Sequence, residues 1–133
     1  LGNTAGTRAG TGGMRIEVTI PGEPRPKARP RVVRGGRQVY SPSAEEEDRV
    51  AWHIAAACAV ARVNTIYGRS YGVEATFFLG DRRRVDGDNL LKLVLDAGTR
   101  ARIWPDDSLV TEGSWRIVRG DPNPRTELVI EAL

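Results

Sequence analysis

Alternation of apolar and polar positions is clearest at Met14 to Ile20, where Met14, Ile16, Val18 and Ile20 share one face and Arg15, Glu17 and Thr19 the other, so a half-buried strand is predicted. Prolines at positions 21, 24, 26 and 30 interrupt regular pairing. Arg31 to Arg34 and Arg37 to Tyr40, separated by Gly35-Gly36, then read as a hairpin. Ser41 or Ser43 can cap a helix that carries Glu45, Glu46 and Glu47 in its first turn, beside the positive end of its dipole. Val50, Ile54, Ala57, Cys58 and Ala61 recur at helical spacing and carry this helix to about Arg62. Alternation returns at Val73 to Leu79, a second strand. A helix opening at Asp88 or Asn89 and patterned through Leu95 is expected to bury Leu91, Val94 and Leu95. Ser108 to Val110 reads as strand-like, and Ser114 to Val118 with Thr126 to Leu133, joined by Gly120-Asp121-Pro122-Asn123-Pro124, is expected to form an antiparallel ending. The fold class is therefore α+β, a small mixed or antiparallel sheet with two main helices.

A chain of 133 residues accommodates one such domain, assigned to 14–133, with residues 1–13, rich in Gly and Thr and lacking apolar periodicity, expected to be a flexible leader or extension. The sequence has no apolar run long enough for a membrane span, and its single cysteine, Cys58, allows neither an internal disulfide nor a cysteine zinc site, so a reducing cytoplasm is the expected setting. His53, Cys58 and Trp52 read as ordinary packing or surface residues.

The net charge is only +3, but charge is segregated. Arg25, Lys27, Arg29, Arg31, Arg34 and Arg37 follow one another with no intervening acid, and Arg82, Arg83 and Arg84 form a second basic run. Dense arginine is suited to phosphate, because each contact releases condensed counterions and the guanidinium offers a planar fork of donors. Lys27 and Lys92 are the only lysines.

Candidate chemistry sits beside the second basic run. Asp86 and Asp88 lie two positions apart, so they can share an ion only in an extended or capping conformation, which Gly87 eases. Lys92 falls one turn after Asp88 on the same side, and a second acidic pair, Asp106-Asp107, follows Trp104-Pro105. Hard oxygen ligands of this kind suit Mg²⁺ or Mn²⁺. Taken singly, each has a structural alternative: Asp88 as a helix cap, Asp88 with Lys92 as a surface ion pair, Pro-Asp-Asp as turn chemistry. The ligand spacing of an EF-hand and the glycine loop of a P-loop are both absent.

The run Asp81-Arg82-Arg83-Arg84-Val85-Asp86-Gly87-Asp88-Asn89-Leu90-Leu91-Lys92, the downstream Asp96, and Trp104-Pro105-Asp106-Asp107-Ser108-Leu109-Val110 closely resemble the RusA family of Holliday junction resolvases. Pro24-Arg25-Pro26-Lys27-Ala28-Arg29-Pro30-Arg31 and Tyr40-Ser41-Pro42 resemble the version carried by phages and prophages. The resemblance implies an α+β homodimer that binds four-way junctions in branched DNA and cuts two opposed strands with Mg²⁺ or Mn²⁺. It further implies that Asp86, Asp88 and Asp107 are the essential metal-binding aspartates, that Lys92 is the active-site lysine, and that Asp106 is the acidic neighbour held in reserve. Departures occur at Val85, where some members carry another arginine, and before Met14. A flap- or fork-specific nuclease and a non-catalytic junction binder are the competing readings.

Overall fold

The computed structural model describes residues 14–28, 31–32, 39–40, 43–62 and 70–133. β1 (Arg15–Pro21) realises the first alternation: Ile16, Val18 and Ile20 are buried while Arg15, Glu17 and Thr19 are exposed. Met14, expected on the buried face, lies before the strand and is exposed. A short antiparallel pair follows, β2 (Arg31–Val32) and β3 (Val39–Tyr40), consistent with the predicted hairpin; its turn lies outside the described residues.

α1 (Ala44–Val60) buries Glu47, Val50, Ala51, Ile54 and Cys58 along one stripe. Ala61 ends it as an exposed C-cap, and Arg62 turns away with positive φ. Ser43 occupies the N-cap position without capping; its Oγ instead accepts a 2.7 Å hydrogen bond from the Ala28 N–H and ties the proline-rich segment to the helix. The other candidate cap, Ser41, lies outside the described residues.

β4 (Tyr71–Phe78) begins two residues before the predicted strand, because Tyr71 and Gly72 are already buried and paired. α2 (Gly87–Arg100) is longer than its apolar pattern implied. Its buried stripe is Leu90, Leu93, Val94, Ala97 and Gly98, with Leu91 and Leu95 only at the margin. The buried face is thus rotated from the expected one, since the helix rests against both α1 and the sheet and Leu90 and Leu93 meet the core directly. Burying side chains of this size stabilises by about 1.5–3 kcal/mol each.

A single 3₁₀ turn (Asp107–Leu109) leads into β5 (Val110–Val118), one strand where the sequence suggested two pieces. Thr111 is skipped in the pairing, Tyr71 facing Val110 and Gly72 facing Glu112, a bulge near the strand's start. β6 (Arg125–Ala132) closes the sheet. The order is β1-β6-β4-β5, with β4 and β5 parallel and the other neighbours antiparallel.

The expected antiparallel pairing of 114–118 with 126–133 is therefore not formed. The linker instead crosses the end of β4, held by Leu79 N–H to Val118 O (2.8 Å), Asp121 N–H to Leu79 O (2.9 Å) and Gly120 N–H to Asp81 O (3.2 Å). Gly120 has φ +74°, which favours a residue without Cβ at this corner. β6 gains two strand partners by this route, which a hairpin with β5 at the sheet's edge would not have given.

Both helices cover one face of the sheet, and Trp104, Phe77, Ile54, Ile103 and Ile130 fill the space between the layers. Among the described residues no element covers the opposite, open face, which carries Glu17, Glu74, Glu112, Glu127 and Glu131, interspersed with Arg15, Arg116 and Arg125. No helix among the described residues is long and apolar enough to cross a membrane.

Candidate active site

The chain leaves β4 through an exposed basic loop in which one arginine is turned back onto the protein. Arg83 donates from Nη2 to Pro24 O (2.9 Å) and Glu23 Oε2 (3.4 Å), while its carbonyl accepts from Arg119 Nε at 3.2 Å. Arg82 and Arg84, on either side, are exposed and remain able to meet phosphate. Arg25 is likewise exposed. Arg29, Arg34 and Arg37 lie outside the described residues, and Arg31 is described only as part of β2.

Asp86 adopts the extended cap conformation that the two-residue spacing demanded. It is the N-cap of α2, φ −81° and ψ 114°, and its Oδ1 accepts from the Asp88 N–H at 2.9 Å. Gly87 is buried beneath the indole of Trp115; a Cβ there would stand 2.5 Å from two carbons of the ring. The glycine is needed for this close approach, since its φ is not positive. The same indole donates from Nε1 to Asp88 Oδ1 at 3.0 Å. Trp115 was not singled out by sequence reasoning. Its signal is faint: an aromatic residue on the helix-facing side of an edge strand whose neighbours are mostly exposed.

Lys92, one turn on, joins the two acidic segments. Its Nζ lies 3.1 Å from Asp107 Oδ2 and 3.2 Å from Asp96 Oδ1. These hydrogen bonds, from Asp107 first and then Asp96, hold the Lys92 ammonium above the ordinary lysine pKa, so it is charged at neutral pH. Asp107 opens the 3₁₀ turn. Asp106 is its N-cap: its carbonyl accepts from Leu109 N–H at 3.2 Å, and its carboxylate accepts the Ser108 hydroxyl, which lowers its pKa. Asp106 thus has a local role in shaping the turn that presents Asp107.

Lys27, grouped by sequence with the phosphate-seeking arginines, is turned inward, where its ammonium meets Glu47 and, at 3.1 Å, Asp96 Oδ2. Burial alone would lower its pKa, but the hydrogen bonds to Glu47 and Asp96 outweigh that and raise it. Its main-chain N–H also donates to Asn89 O at 2.9 Å, against the first turn of α2. Neither Cys58, whose thiol pKa is raised by burial, nor His53, edge-on to Trp52 at 5.0 Å, comes into this constellation.

Asp86, Asp88 and Asp107 each commit one carboxylate oxygen to a hydrogen bond and leave the other without a partner among the described residues. Carboxylates without histidine or cysteine have the donor chemistry that suits a hard divalent cation. The arrangement is not a closed cage: among the described residues, no three acidic, histidine or cysteine side chains converge as an ion-holding group, and Lys92 stands between α2 and Asp107. Trp115 faces the helices, so the site lies on the helix side of β5 and the acidic open face lies behind it.

The model of one protein family, described as endodeoxyribonuclease RusA, matches residues 21–131. No curated protein matches the chain. The matched span runs from the end of β1 to within one residue of the end of β6 and includes the basic segment, both acidic segments and Lys92. A match over most of the chain settles its kinship, and the chain belongs to the RusA family of Holliday junction endodeoxyribonucleases.

Proposed function

We propose that this protein resolves four-way DNA junctions by paired nicking of opposed strands, as an isologous homodimer with Asp86, Asp88 and Asp107 as ligands for Mg²⁺, or Mn²⁺ in its place. The observation that carries the site assignment is the Lys92 ammonium, 3.1 Å from Asp107 and one helical turn beyond Asp88, which draws two acidic segments distant in sequence to one end of α2. Membership of a junction endonuclease family supplies the substrate class.

Asp86, Asp88 and Asp107 would hold a divalent ion, which would supply Lewis acidity and a more acidic water for phosphodiester hydrolysis. The chain's own groups do the rest. Trp115 and the α2 N-terminus fix the direction of Asp88 and Asp86, so neither carboxylate has to be ordered when the substrate arrives. Lys92 presents positive charge to the scissile phosphate and leaving oxygen, where negative charge grows as the bond breaks. Arg25, Arg82 and Arg84 bind flanking phosphates without reading bases. The glutamates of the open sheet face disfavour DNA there and leave the site's side of the molecule for the junction. Two such sites related by a dimer axis give two nicks, which is what resolution of a junction requires.

The test is cleavage of a labelled mobile four-way junction, beside a flap and a linear duplex, by wild type and Asp88→Asn, with Mg²⁺ or EDTA. Paired nicks in opposed strands, lost in the variant and in EDTA, are expected. Preferential flap cutting would move the function to flap processing, and binding without any cleavage would leave a junction-binding protein. Normal cleavage by Asp88→Asn would overturn the site, and junction resolution by a species sedimenting as a monomer would overturn the dimer.

A further inference from the structure

The chain's only two lysines meet at one carboxylate. Asp96 receives Lys27 Nζ on Oδ2 at 3.1 Å and Lys92 Nζ on Oδ1 at 3.2 Å, in a sequence that otherwise uses arginine for every basic position. We propose that Asp96 is a positioning residue for Lys92, itself held in place by Lys27 and the buried Glu47, so that the active-site ammonium is anchored through a chain of ion pairs to the interior. This rests on the reading of Lys92 as the group that faces the scissile phosphate.

The need for an anchor follows from the lysine itself. Lys92 has a four-carbon stem and a half-exposed side chain, and a solvent-exposed pair with a carboxylate four residues on would restrain it weakly. Here Asp96 is not free to follow it. Lys27 holds the far oxygen, and Lys27 is itself fixed at both ends: its main-chain N–H bonds to Asn89 O at 2.9 Å, and its ammonium to Glu47, which is 5% exposed. Glu47 also accepts from Arg100 Nη2 at 3.1 Å, and Arg100 reaches on to Asp48. The first turns of α1 and α2, the last turn of α2 and the proline-rich segment are tied together by this chain, which ends at Lys92.

Donor counting explains why an ammonium suits the last link. Lys92 has three N–H groups; Asp107 and Asp96 take two, and one is left for substrate. A guanidinium, with its donors in one plane, would not divide so readily between two carboxylates on different elements and a phosphate. Losing Asp96 would leave Lys27 and Lys92 facing one another without the intervening negative charge, and Lys92 would swing away from the position set by α2.

Single-turnover junction cleavage at saturating enzyme, with junction affinity measured separately in EDTA, tests this in Asp96→Asn, Lys27→Met, Lys92→Ala and the Asp96→Asn/Lys92→Ala double variant. Asp96→Asn and Lys27→Met are expected to slow the saturated rate by about 10- to 100-fold, the scale of a misplaced group, with affinity within about twofold. Asp96→Asn should cost nothing further once Lys92 is already alanine. Additive losses, or wild-type cleavage by Asp96→Asn beside an inactive Lys92→Ala, would overturn the positioning role. Wild-type cleavage by Lys92→Ala would instead overturn the reading on which it rests. A second measurement covers variants that fold poorly: ¹⁵N-lysine labelling gives two ammonium signals, assigned with Lys92→Arg. The Lys92 signal should shift and broaden in Lys27→Met, whereas an unchanged signal would refute the chain of pairs.

Discussion

Gly98 lies in the last turn of α2, buried beneath the indole of Trp104, and replacing it with alanine sets two effects of opposite sign against each other. Its φ is not positive, so alanine fits the backbone and would gain about 1 kcal/mol in an open helix. The space is not open. The new Cβ would lie 2.2, 2.7 and 2.8 Å from three carbons of Trp104, where ordinary carbon contacts are about 3.5–4.0 Å. The indole has little room to retreat: it is 1% exposed, its Nε1 donates to Thr99 Oγ1 at 3.0 Å, and Tyr71 packs against it with ring centroids 5.6 Å apart. Overpacking costs about 1–3 kcal/mol, and a lost indole hydrogen bond about 0.5–1.5 kcal/mol more. Steric strain should win, leaving Gly98→Ala destabilised by about 0.5–3.5 kcal/mol after the helix gain is subtracted. Urea unfolding followed by circular dichroism reads this directly, and Trp104→Phe, which trims the clashing ring, should make the alanine less costly in the double variant. A Gly98→Ala protein as stable as wild type, or more so, would mean that the packing of Trp104 on α2 is wrong.

Trp115→Phe removes the N–H from Asp88 together with the part of the indole that lies over Gly87; cleavage should fall about 10- to 100-fold, as when the partner of a ligand is lost, and an Mg²⁺ titration that superimposes on wild type would refute the role. Arg82→Gln and Arg84→Gln should each weaken junction binding and reduce the log–log salt slope by about 0.9, while an unchanged slope would exclude a phosphate contact. Cys58, buried and with its thiol pKa raised by burial, should resist an aromatic disulfide reagent in the native protein and react once per chain in urea; rapid native labelling would contradict the packing of α1. Lys27 has a folded pKa raised by Glu47 and Asp96 against the opposing effect of burial, so its contribution to stability is complete below the ordinary lysine value and is lost as pH rises through the folded one. The stability gap between wild type and Lys27→Met should therefore be constant near neutrality and close at alkaline pH, and a gap that widened there would reverse the sign of the argument.

Local rules made much of this architecture legible, and partnership between elements made the rest obscure. The alternation of β1 from Ile16 to Ile20 depends on neighbours in sequence and occurs as the residues imply, and Asp86 takes the extended cap conformation, although α2 opens at Gly87, one residue before the earliest start expected at Asp88. The place of β6 does not depend on such neighbours. Thr126 to Ala132 alternates equally well beside any strand, and only three-dimensional packing selects β1 and β4 as its neighbours. The phase of α2 is ambiguous in sequence for a similar reason: Leu90, Leu91, Leu93, Val94 and Leu95 offer two overlapping apolar stripes, and contact with α1 and the sheet chooses the one through Leu90 and Leu93. Within the candidate site, Asp86, Asp88, Lys92 and Asp107 stood out by spacing and resemblance, whereas Trp115 acts through a hydrogen bond between β5 and α2, and the inward turn of Lys27 depends on acids from both helices.

The position of β6 also governs the order in which the molecule can be made. Among the described residues, β1 has no strand neighbour except β6, pairing from Arg15 with Glu131 to Pro21 with Arg125. While a ribosome is still adding residues up to 124, β4 and β5 can associate, but Ile16, Val18 and Ile20 must wait without a ladder for β6 to emerge. Closure then fixes the largest separations in the sheet in one late step, the kind of topology that folds slowly. A nascent chain of this protein therefore leaves β1 without its strand partner until residues 125–132 have been made, and its demand for chaperone protection should be greatest just before these residues leave the exit tunnel.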